Sequence, residues 1–162
     1  MEIERKWLIN EFPDIEAECT YIVLQGYLSI DPEVRIRSLI PCCPESNEYT
    51  LCIKGDGTIA REEIEVVITG EQFKRLKEMV PGTLINKLYK KYKLLDGTEV
   101  QCSQVDGGIL WYAEVEFKPE EDPYAFNVPI WFGKEVTDDP EYKMKNYWRR
   151  WHSKCASTNQ EK

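Results

Sequence analysis

The sequence predicts a mainly β protein with a few helices, an α+β fold built on antiparallel strands. Its hydrophobic pattern is mostly of period two, which is typical of strands with one buried face. Glycine-containing turns interrupt this pattern at residues 55–57, 96–97 and 106–108, and glycine supplies the positive φ that tight hairpins need. The chain has 162 residues, enough for one full-sized core. We therefore expect one domain over residues 1–150 and a frayed tail over residues 151–162.

Eight strands follow from the alternation and its interruptions. They are predicted at residues 2–9, 21–29, 33–39, 48–54, 61–69, 84–95, 99–105 and 109–117. Because short turns separate most of them, neighbouring strands should be antiparallel.

One helix is signalled between the fifth and sixth strands. Thr69 can cap its first turn, and Gln72 stands three residues on, in the position of a capping box. Three apolar residues share one face: Phe73, Leu76 and Val80. The helix should end at Pro81, which cannot continue it.

A second helix is predicted near the end of the domain. It should begin at Asp138 or Asp139, with Pro140 at the first helical position, and continue through Tyr147 into Arg150. The chain beyond it, from Ser153 onward, is expected to fray.

Composition excludes several classes of function. The net charge of -8 argues against a protein that binds nucleic acid over its whole surface. No apolar run approaches the roughly 20 residues needed to cross a bilayer, and the first residues are charged rather than apolar, so we expect no membrane association and a cytoplasmic location. The six cysteines form no C-x-x-C pair, and only His152 is available to join them, so we expect free thiols rather than zinc ligands or disulfides.

Charged residues are ordered by strand. Alternation places like or opposite charges two residues apart on a single face, in four sets: Glu2, Glu4 and Lys6; Arg35 and Arg37; Arg61, Glu63 and Glu65; Glu114 and Glu116, together with Leu110 and Tyr112.

Two interpretations of these faces remain open. They can be the solvated side of a two-layer sheet, which is common for antiparallel strands. Alternatively they line an interior, because the face opposite Glu114 is large and apolar, and only two helices are available to cover the outside. Like charges two apart repel unless an opposite charge lies between them. A divalent metal between carboxylates and a polyphosphate between basic residues would remove this repulsion.

Seven blocks of sequence, in order, resemble those of a known family. The opening EIERKWLI resembles the E-x-E-x-K signature of the CYTH superfamily, also called triphosphate tunnel metalloenzymes. The remaining blocks are QGYL, EVRIR, TLCIKG, REEIEV, AEVEF and WFGKEVTDDPEY. Together they cover the chain from residue 2 to about residue 147.

The resemblance implies an eight-stranded, antiparallel, closed β-barrel with a charged interior, a tunnel that binds a triphosphate with Mg²⁺ or Mn²⁺ and cleaves a phosphoanhydride bond. The implied metal ligands are Glu2, Glu4, Glu114 and Glu116. The implied phosphate ligands are Lys6, Arg35, Arg37, Lys54 and Arg61, with Lys87 and Lys91 as further candidates. Glu63 and Glu65 would orient basic residues or the attacking water, and with Lys6 they are the candidate catalytic residues.

The sequence departs from the family pattern in three places. Where the family has K-x-R-Y, either Tyr89 replaces the arginine or the register shifts and Lys91 stands in for it. Residues 102–104 read Cys-Ser-Gln where a family aspartate is expected, and Met144 occupies a position commonly taken by asparagine. Lys143 and Lys145 can reach a phosphate, although a solvated helical face also explains them.

Three functions remain open at this stage. The first is hydrolysis of inorganic triphosphate, a small-molecule substrate favoured by the short chain. The second is a module that binds polyphosphate or nucleotide without turnover, which the three departures favour. The third is hydrolysis of thiamine triphosphate or a nucleoside triphosphate. The sequence leaves the oligomeric state open.

Overall fold

The computed structural model describes residues 1–154 and shows nine strands and two α-helices in that range. The strands are β1 (Glu2–Leu8), β2 (Cys19–Ile30), β3 (Glu33–Pro41), β4 (Glu48–Lys54), β5 (Ala60–Arg61), β6 (Glu63–Val67), β7 (Ile85–Lys93), β8 (Glu99–Val105) and β9 (Leu110–Glu116). The helices are α1 (Gly70–Met79) and α2 (Met144–Trp151). No helix in this part of the chain is long and apolar enough to cross a membrane.

The strands form one antiparallel sheet that curls into a nearly closed barrel. Its order is β5-β1-β9-β8-β7-β2-β3-β4-β6. The two edge strands β5 and β6 are consecutive in the chain and separated by Glu62 alone. Because β5 pairs with β1 while β6 pairs with β4, one short stretch of chain joins both edges of the sheet. The predicted antiparallel barrel is therefore confirmed, with the expected single strand at 61–69 divided in two.

The outer surface of much of the barrel is apolar. Trp7, Cys102, Ala113 and Val115 alternate with the inward residues of their strands and are buried beneath the chain that follows β9. Phe132 belongs to that covering segment, and its ring centroid lies 4.9 Å from that of Trp7. The hydrophobic effect thus stabilises the outside of the sheet here, which leaves the inside available for charge.

Helix α1 forms as its sequence predicts. The Gln72 backbone N–H donates to Thr69 Oγ1 at 3.0 Å, and the Thr69 N–H donates to Gln72 Oε1 at 2.9 Å, which completes the capping box. Phe73 is buried against the barrel, and the helix ends at Met79, close to the predicted stop.

The prediction of the second helix is wrong for its first half. Asp139 caps only a 3-10 turn at Pro140–Tyr142, and Lys143 is extended, with φ -70° and ψ 130°. This break lets the Lys143 ammonium donate to the Gly57 carbonyl at 2.8 Å on a distant turn. Sequence periodicity carries no signal for such a long-range contact.

The expectation of fraying from residue 151 is also wrong for the part described. Ser153 is buried, and its hydroxyl donates to the Arg149 carbonyl at 2.6 Å. The Lys154 N–H donates to the Pro81 carbonyl at 2.9 Å. Residues 155–162 of the predicted tail lie outside the described residues.

Candidate functional site

A single charged cavity runs inside the barrel and contains nearly every residue singled out from the sequence. Twelve of the thirteen predicted site residues line it: Glu2, Glu4, Lys6, Arg35, Arg37, Lys54, Arg61, Glu63, Glu65, Lys87, Glu114 and Glu116. The solvated-face interpretation of these strands is therefore wrong.

The thirteenth residue, Lys91, lies outside this lining. Its ammonium is 3.9 Å from a carboxylate oxygen of Glu99. Tyr89, by contrast, does line the cavity, opposite Ser103 of β8. The structure thus resolves the alternative left open by the sequence, because Tyr89 occupies the inward position and Lys91 does not replace it.

Three carboxylates meet on one side of the cavity. Single oxygens of Glu2, Glu4 and Glu116 all lie within 4.8 Å of one another. Glu4 and Glu116 are cross-strand partners on β1 and β9. Burial and the neighbouring charges of Glu114 and Glu2 raise the pKa of Glu4 well above its ordinary value. A cluster of carboxylate oxygens of this kind suits a hard divalent cation.

Glu114, the fourth predicted metal ligand, has a different environment. Burial alone would raise the pKa of Glu114. The opposite effect is larger, and the pKa is lowered to about 2 by Lys6, by a hydrogen bond with Glu4 and by the nearby Lys87. Its carboxylate therefore stays ionised between the acidic cluster and the lysines.

Two basic residues are held by acidic partners. The Lys54 ammonium is 2.9 Å from Glu2 Oε2, and the Arg61 guanidinium is 3.0 Å from Glu33 and 3.5 Å from Glu2. Burial raises the pKa of Glu2, but Lys54 and Arg61 outweigh it and leave the value below normal. These pairs fix both cations in the wall beside the acidic cluster.

Two arginines on β3, Arg35 and Arg37, have fewer polar partners than Lys54 and Arg61. Arg37 lies 3.6 Å from Glu65, a long ion pair, and Arg35 has no ion pair within residues 1–154. The Nε atoms of both are buried without a hydrogen-bond partner. Burial and Arg35 lower the pKa of Arg37. Unsatisfied buried donors of this kind are unfavourable unless a ligand completes them.

Two lysines converge on Tyr112. The Lys87 ammonium donates to the Tyr112 hydroxyl at 2.6 Å, and the Lys6 ammonium lies 3.9 Å from the centroid of its ring. Lys6 also donates to the Tyr142 carbonyl at 2.7 Å. Burial lowers the pKa of Lys6, and that of Lys87 more strongly. An arriving anion would favour the charged form of both.

Glu63 and Glu65 follow the short β5 strand into the cavity. The Cys52 thiol lies 3.4 Å from Glu63, and burial, with a contribution from Glu2, raises the pKa of Glu63. Glu65 is the partner of Arg37. Their predicted orienting roles stay predictions.

Several lining residues lie outside the set of thirteen predicted site residues. Glu33 is buried and pairs with Arg61, and its alternation with Arg35 and Arg37 was the available signal. Lys143 also lines the cavity, so the interpretation of this lysine as part of a solvated helical face is wrong. Met144 lies beside it in the wall, as does Ser103, which stands in the region where an aspartate was expected.

The sequence is similar to proteins of known activity. The chain is 36% identical over 149 residues to the inorganic triphosphatase of Nitrosomonas europaea, covering 89% of this chain and 94% of that protein. The chain belongs to the inorganic triphosphatase family of the CYTH superfamily. A second member, the inorganic triphosphatase of Acetivibrio thermocellus, is 30% identical over 148 residues, covering 90% of this chain and 91% of that protein.

Solved structures agree with this family membership. The crystal structure of the inorganic triphosphatase NE1496 superposes with a TM-score of 0.64 at 35% identity, covering 91% of this chain and 93% of that one. The PH1819 protein of Pyrococcus horikoshii shares the fold at 22% identity, with a TM-score of 0.55, over 77% of this chain and 84% of that one. No protein-family model matches the chain.

Within the CYTH superfamily fold, this chain places an acidic cluster and an array of cations on one continuous inner wall. Such an arrangement can hold a polyanion against the cations and a divalent cation against the carboxylates.

Proposed function

We propose that this protein hydrolyses inorganic triphosphate to pyrophosphate and phosphate with the help of a divalent metal. The observation that carries the proposal is the juxtaposition, in one tunnel, of three convergent carboxylates with seven buried or half-buried basic residues. A triphosphate needs both, because basic side chains neutralise only part of its charge. The named activity of the two relatives supports the same conclusion.

The basic residues would bind the non-bridging phosphate oxygens. Arg35 and Arg37 have unsatisfied donors and are the first candidates. Lys6 and Lys87, together on Tyr112, supply two further ammonium groups. Lys54 and Arg61 are already paired with Glu2 and would contribute through the network rather than as free cations.

Glu2, Glu4 and Glu116 would hold Mg²⁺ or Mn²⁺, with Glu114 nearby. The fit rests on three oxygen ligands within reach of one another and on the raised pKa of Glu4, which burial and the adjacent carboxylates cause. When bound, the ion supplies positive charge to the phosphoryl oxygens.

The protein's own contribution to the chemical step is positioning and charge. Phosphoryl transfer passes through a loose transition state, so a nucleophilic side chain is not required. Lys6 lies beside Glu114 and would stabilise charge that develops on the phosphate oxygens. Glu63 would accept a hydrogen bond from the attacking water, and Glu65 would keep Arg37 in place.

We place the protein in the cytoplasm, acting on a small molecule rather than on nucleic acid or a membrane. The five cysteines within residues 1–154 are free, as expected in a reducing compartment. The net charge of -8 disfavours a nucleic-acid partner.

A substrate panel tests the proposal. Phosphate release should be measured from inorganic triphosphate, pyrophosphate, ATP and thiamine triphosphate, with Mg²⁺ and Mn²⁺ in turn. We expect the highest kcat/KM with inorganic triphosphate. Preference for ATP or thiamine triphosphate would contradict the proposed substrate. Thermal stabilisation by triphosphate without release from any substrate would identify a binding module instead.

A further inference from the structure

Two cysteines, Cys19 and Cys43, lie at the end where the β2–β3 hairpin opens. In this hairpin Ile22 lies opposite Ile40 and Tyr21 lies opposite Pro41. Continuing the same register by two residues places Cys19, the first residue of β2, opposite Cys43, which lies just beyond the end of β3. The ladder continues for one residue past β3, because the Cys42 N–H donates to the Thr20 carbonyl at 2.9 Å.

The hydrogen-bond pattern makes this pair suitable for a cross-strand bond. Thr20 and Cys42 share a ladder hydrogen bond, and Pro41, opposite Tyr21, has no N–H to donate. Extended by one residue beyond this last hydrogen bond, the alternation of an antiparallel ladder gives Cys19 and Cys43 the positions of a non-hydrogen-bonded pair. The Cα atoms of such pairs lie about 4.5 Å apart, within the range of about 4.4–6.8 Å that a disulfide spans.

The surroundings of the two thiols are consistent with this placement. Contact with Cys19, partial burial and the nearby Glu45 and Cys43 raise the pKa of Tyr21 to about 12, so both cysteines lie near one phenol. On the other side of β2, Lys91 is the cross-strand partner of Cys19. Cys43 is exposed and Cys19 partly exposed, so a small oxidant can reach them.

We propose that Cys19 and Cys43 form a reversible disulfide that cross-links the open end of the β2–β3 hairpin under oxidation by a peroxide. One thiolate attacks hydrogen peroxide, the O–O bond breaks, and a sulfenic acid and water result once the thiol proton is transferred. The second thiolate attacks that sulfur, the S–S bond forms, the S–O bond breaks, and hydroxide leaves as water with the second proton. Two electrons pass from the thiols to the peroxide, and a dithiol reverses the reaction.

The bond would act on a wall of the tunnel. Strands β2 and β3 carry Gln25, Arg35 and Arg37, and the Tyr21 ring lies 5.8 Å from that of the inward Tyr89. A cross-link at the open end of the hairpin restricts the unfolded chain and should raise Tm by about 5 °C. Such transient bonds are the kind found in reducing compartments.

The test begins with a Cys42→Ser, Cys155→Ser background, since Cys42 is adjacent and Cys155 lies outside the described residues. The folded protein is treated with hydrogen peroxide, the remaining thiols are alkylated, and peptides are mapped by mass spectrometry with and without dithiothreitol. We expect a Cys19–Cys43 peptide lighter by two hydrogens, reversal by dithiothreitol, and the higher Tm of the oxidised form. Buried Cys52 and Cys102 serve as internal controls that stay reduced.

Cys19→Ser in the same background should lose both the cross-linked peptide and the peroxide-dependent rise in Tm. Full alkylation of Cys19 and Cys43 after peroxide would overturn the proposal. A disulfide between Cys42 and Cys43 in the wild-type chain, in place of Cys19–Cys43, would overturn it as well.

Discussion

Arg35 carries a charge in the tunnel wall without a carboxylate of its own within residues 1–154. Arg35 is only 8% exposed, and its Nε has no hydrogen-bond partner. Burying a cation costs hydration free energy, and at Arg35 the unbonded Nε leaves part of that cost uncompensated in the ligand-free protein. The same unsatisfied donors are what a phosphate oxygen would complete. At this residue, stability and binding should therefore oppose each other.

Replacing Arg35 with methionine should separate the two effects. We expect Arg35→Met to raise the Tm of the ligand-free protein by about 2 °C, because an unpaired buried charge is removed. The apparent affinity for triphosphate should fall at least roughly tenfold, which corresponds to the loss of one charge-assisted hydrogen bond. Added triphosphate should therefore raise the Tm of the variant less than that of the wild type. Melting curves with and without triphosphate measure both.

Arg75→Met is the matched control for Arg35→Met. Arg75 lies on α1, with its side chain 78% exposed, and pairs with Glu71 at 3.4 Å. Such surface pairs contribute little, so neither Tm nor triphosphate binding should change. A ligand-free Tm that falls for Arg35→Met, with unaltered triphosphate binding, would show that Arg35 is a structural residue.

Alternation by two was sufficient to find most inward residues from the sequence. Glu2, Glu4, Arg35 and Arg37 lie inside because a strand turns every second side chain to the same face. Lys91 lies two residues from Tyr89 and so points to the same face of β7, but it is not part of the cavity lining. Alternation predicts the face of a strand on which a residue lies and not its position along the tunnel. The pairings among these residues depend on strand order around the barrel, which a single sequence does not contain.

At the scale of elements, α2 is held to the barrel by polar contacts around one aspartate. Asp106 Oδ2 accepts from the Tyr147 hydroxyl at 2.6 Å and lies 2.7 Å from His152 Nε2. The other imidazole nitrogen lies 2.8 Å from Thr83 Oγ1, and the Trp148 indole donates to the Thr83 carbonyl at 2.7 Å. Because Lys143 of the tunnel wall directly precedes this helix and Met144 is its first residue, these contacts also position part of the site.

Asp106→Asn should reveal this anchor through its pH dependence. Burial would raise the pKa of Asp106, but hydrogen bonds from Tyr147 and His152 lower it below the ordinary value. A lowered folded-state pKa stabilises the protein above the unfolded value, near 4, and this contribution is lost as pH falls through the folded pKa. The variant should therefore lose about 1–2 kcal/mol at pH 7.

Asparagine is the appropriate substitute because Asp106 has φ 48°, a left-handed conformation that asparagine tolerates. The difference in Tm between wild type and Asp106→Asn should shrink below about pH 4. Asp14→Asn, at an exposed loop position, is the control. A difference in Tm that stays constant from pH 7 to pH 3 would contradict the assigned role of the carboxylate.

Local signals predicted some elements well and failed where distant contacts decide. The capping box of Thr69 and Gln72 lies within four residues, so α1 was predicted correctly. The strand expected at residues 61–69 divides because Arg61 pairs with β1 while Glu63 pairs with β4. The helix expected from Asp138 or Asp139 is interrupted at Lys143, whose hydrogen-bond partner Gly57 is 86 residues away. Neither interruption has a local cause.

At the scale of the molecule, the barrel inverts the usual distribution of polarity. Val115 is fully buried on the outer face of β9, beneath covering aromatic residues, while Glu114 and Glu116 on either side of it face the cavity. Closing the sheet through β5 brings Arg61 beside Glu2 and completes the charged ring. A closed wall with charge inside is what allows opposite charges to be held at fixed positions without collapsing onto one another.

The most direct test of this account compares phosphate release from inorganic triphosphate by wild type, Glu4→Gln and Glu62→Gln, each with Mg²⁺ and Mn²⁺. Glu62 is exposed, lies outside the cavity lining and serves as the matched control. We predict at least roughly a hundredfold loss of kcat/KM in Glu4→Gln, with Tm unchanged or higher because repulsion within the acidic cluster is relieved. Glu62→Gln should match wild type. Full activity in Glu4→Gln, or equal loss in both variants, would contradict the assignment of the acidic cluster to catalysis.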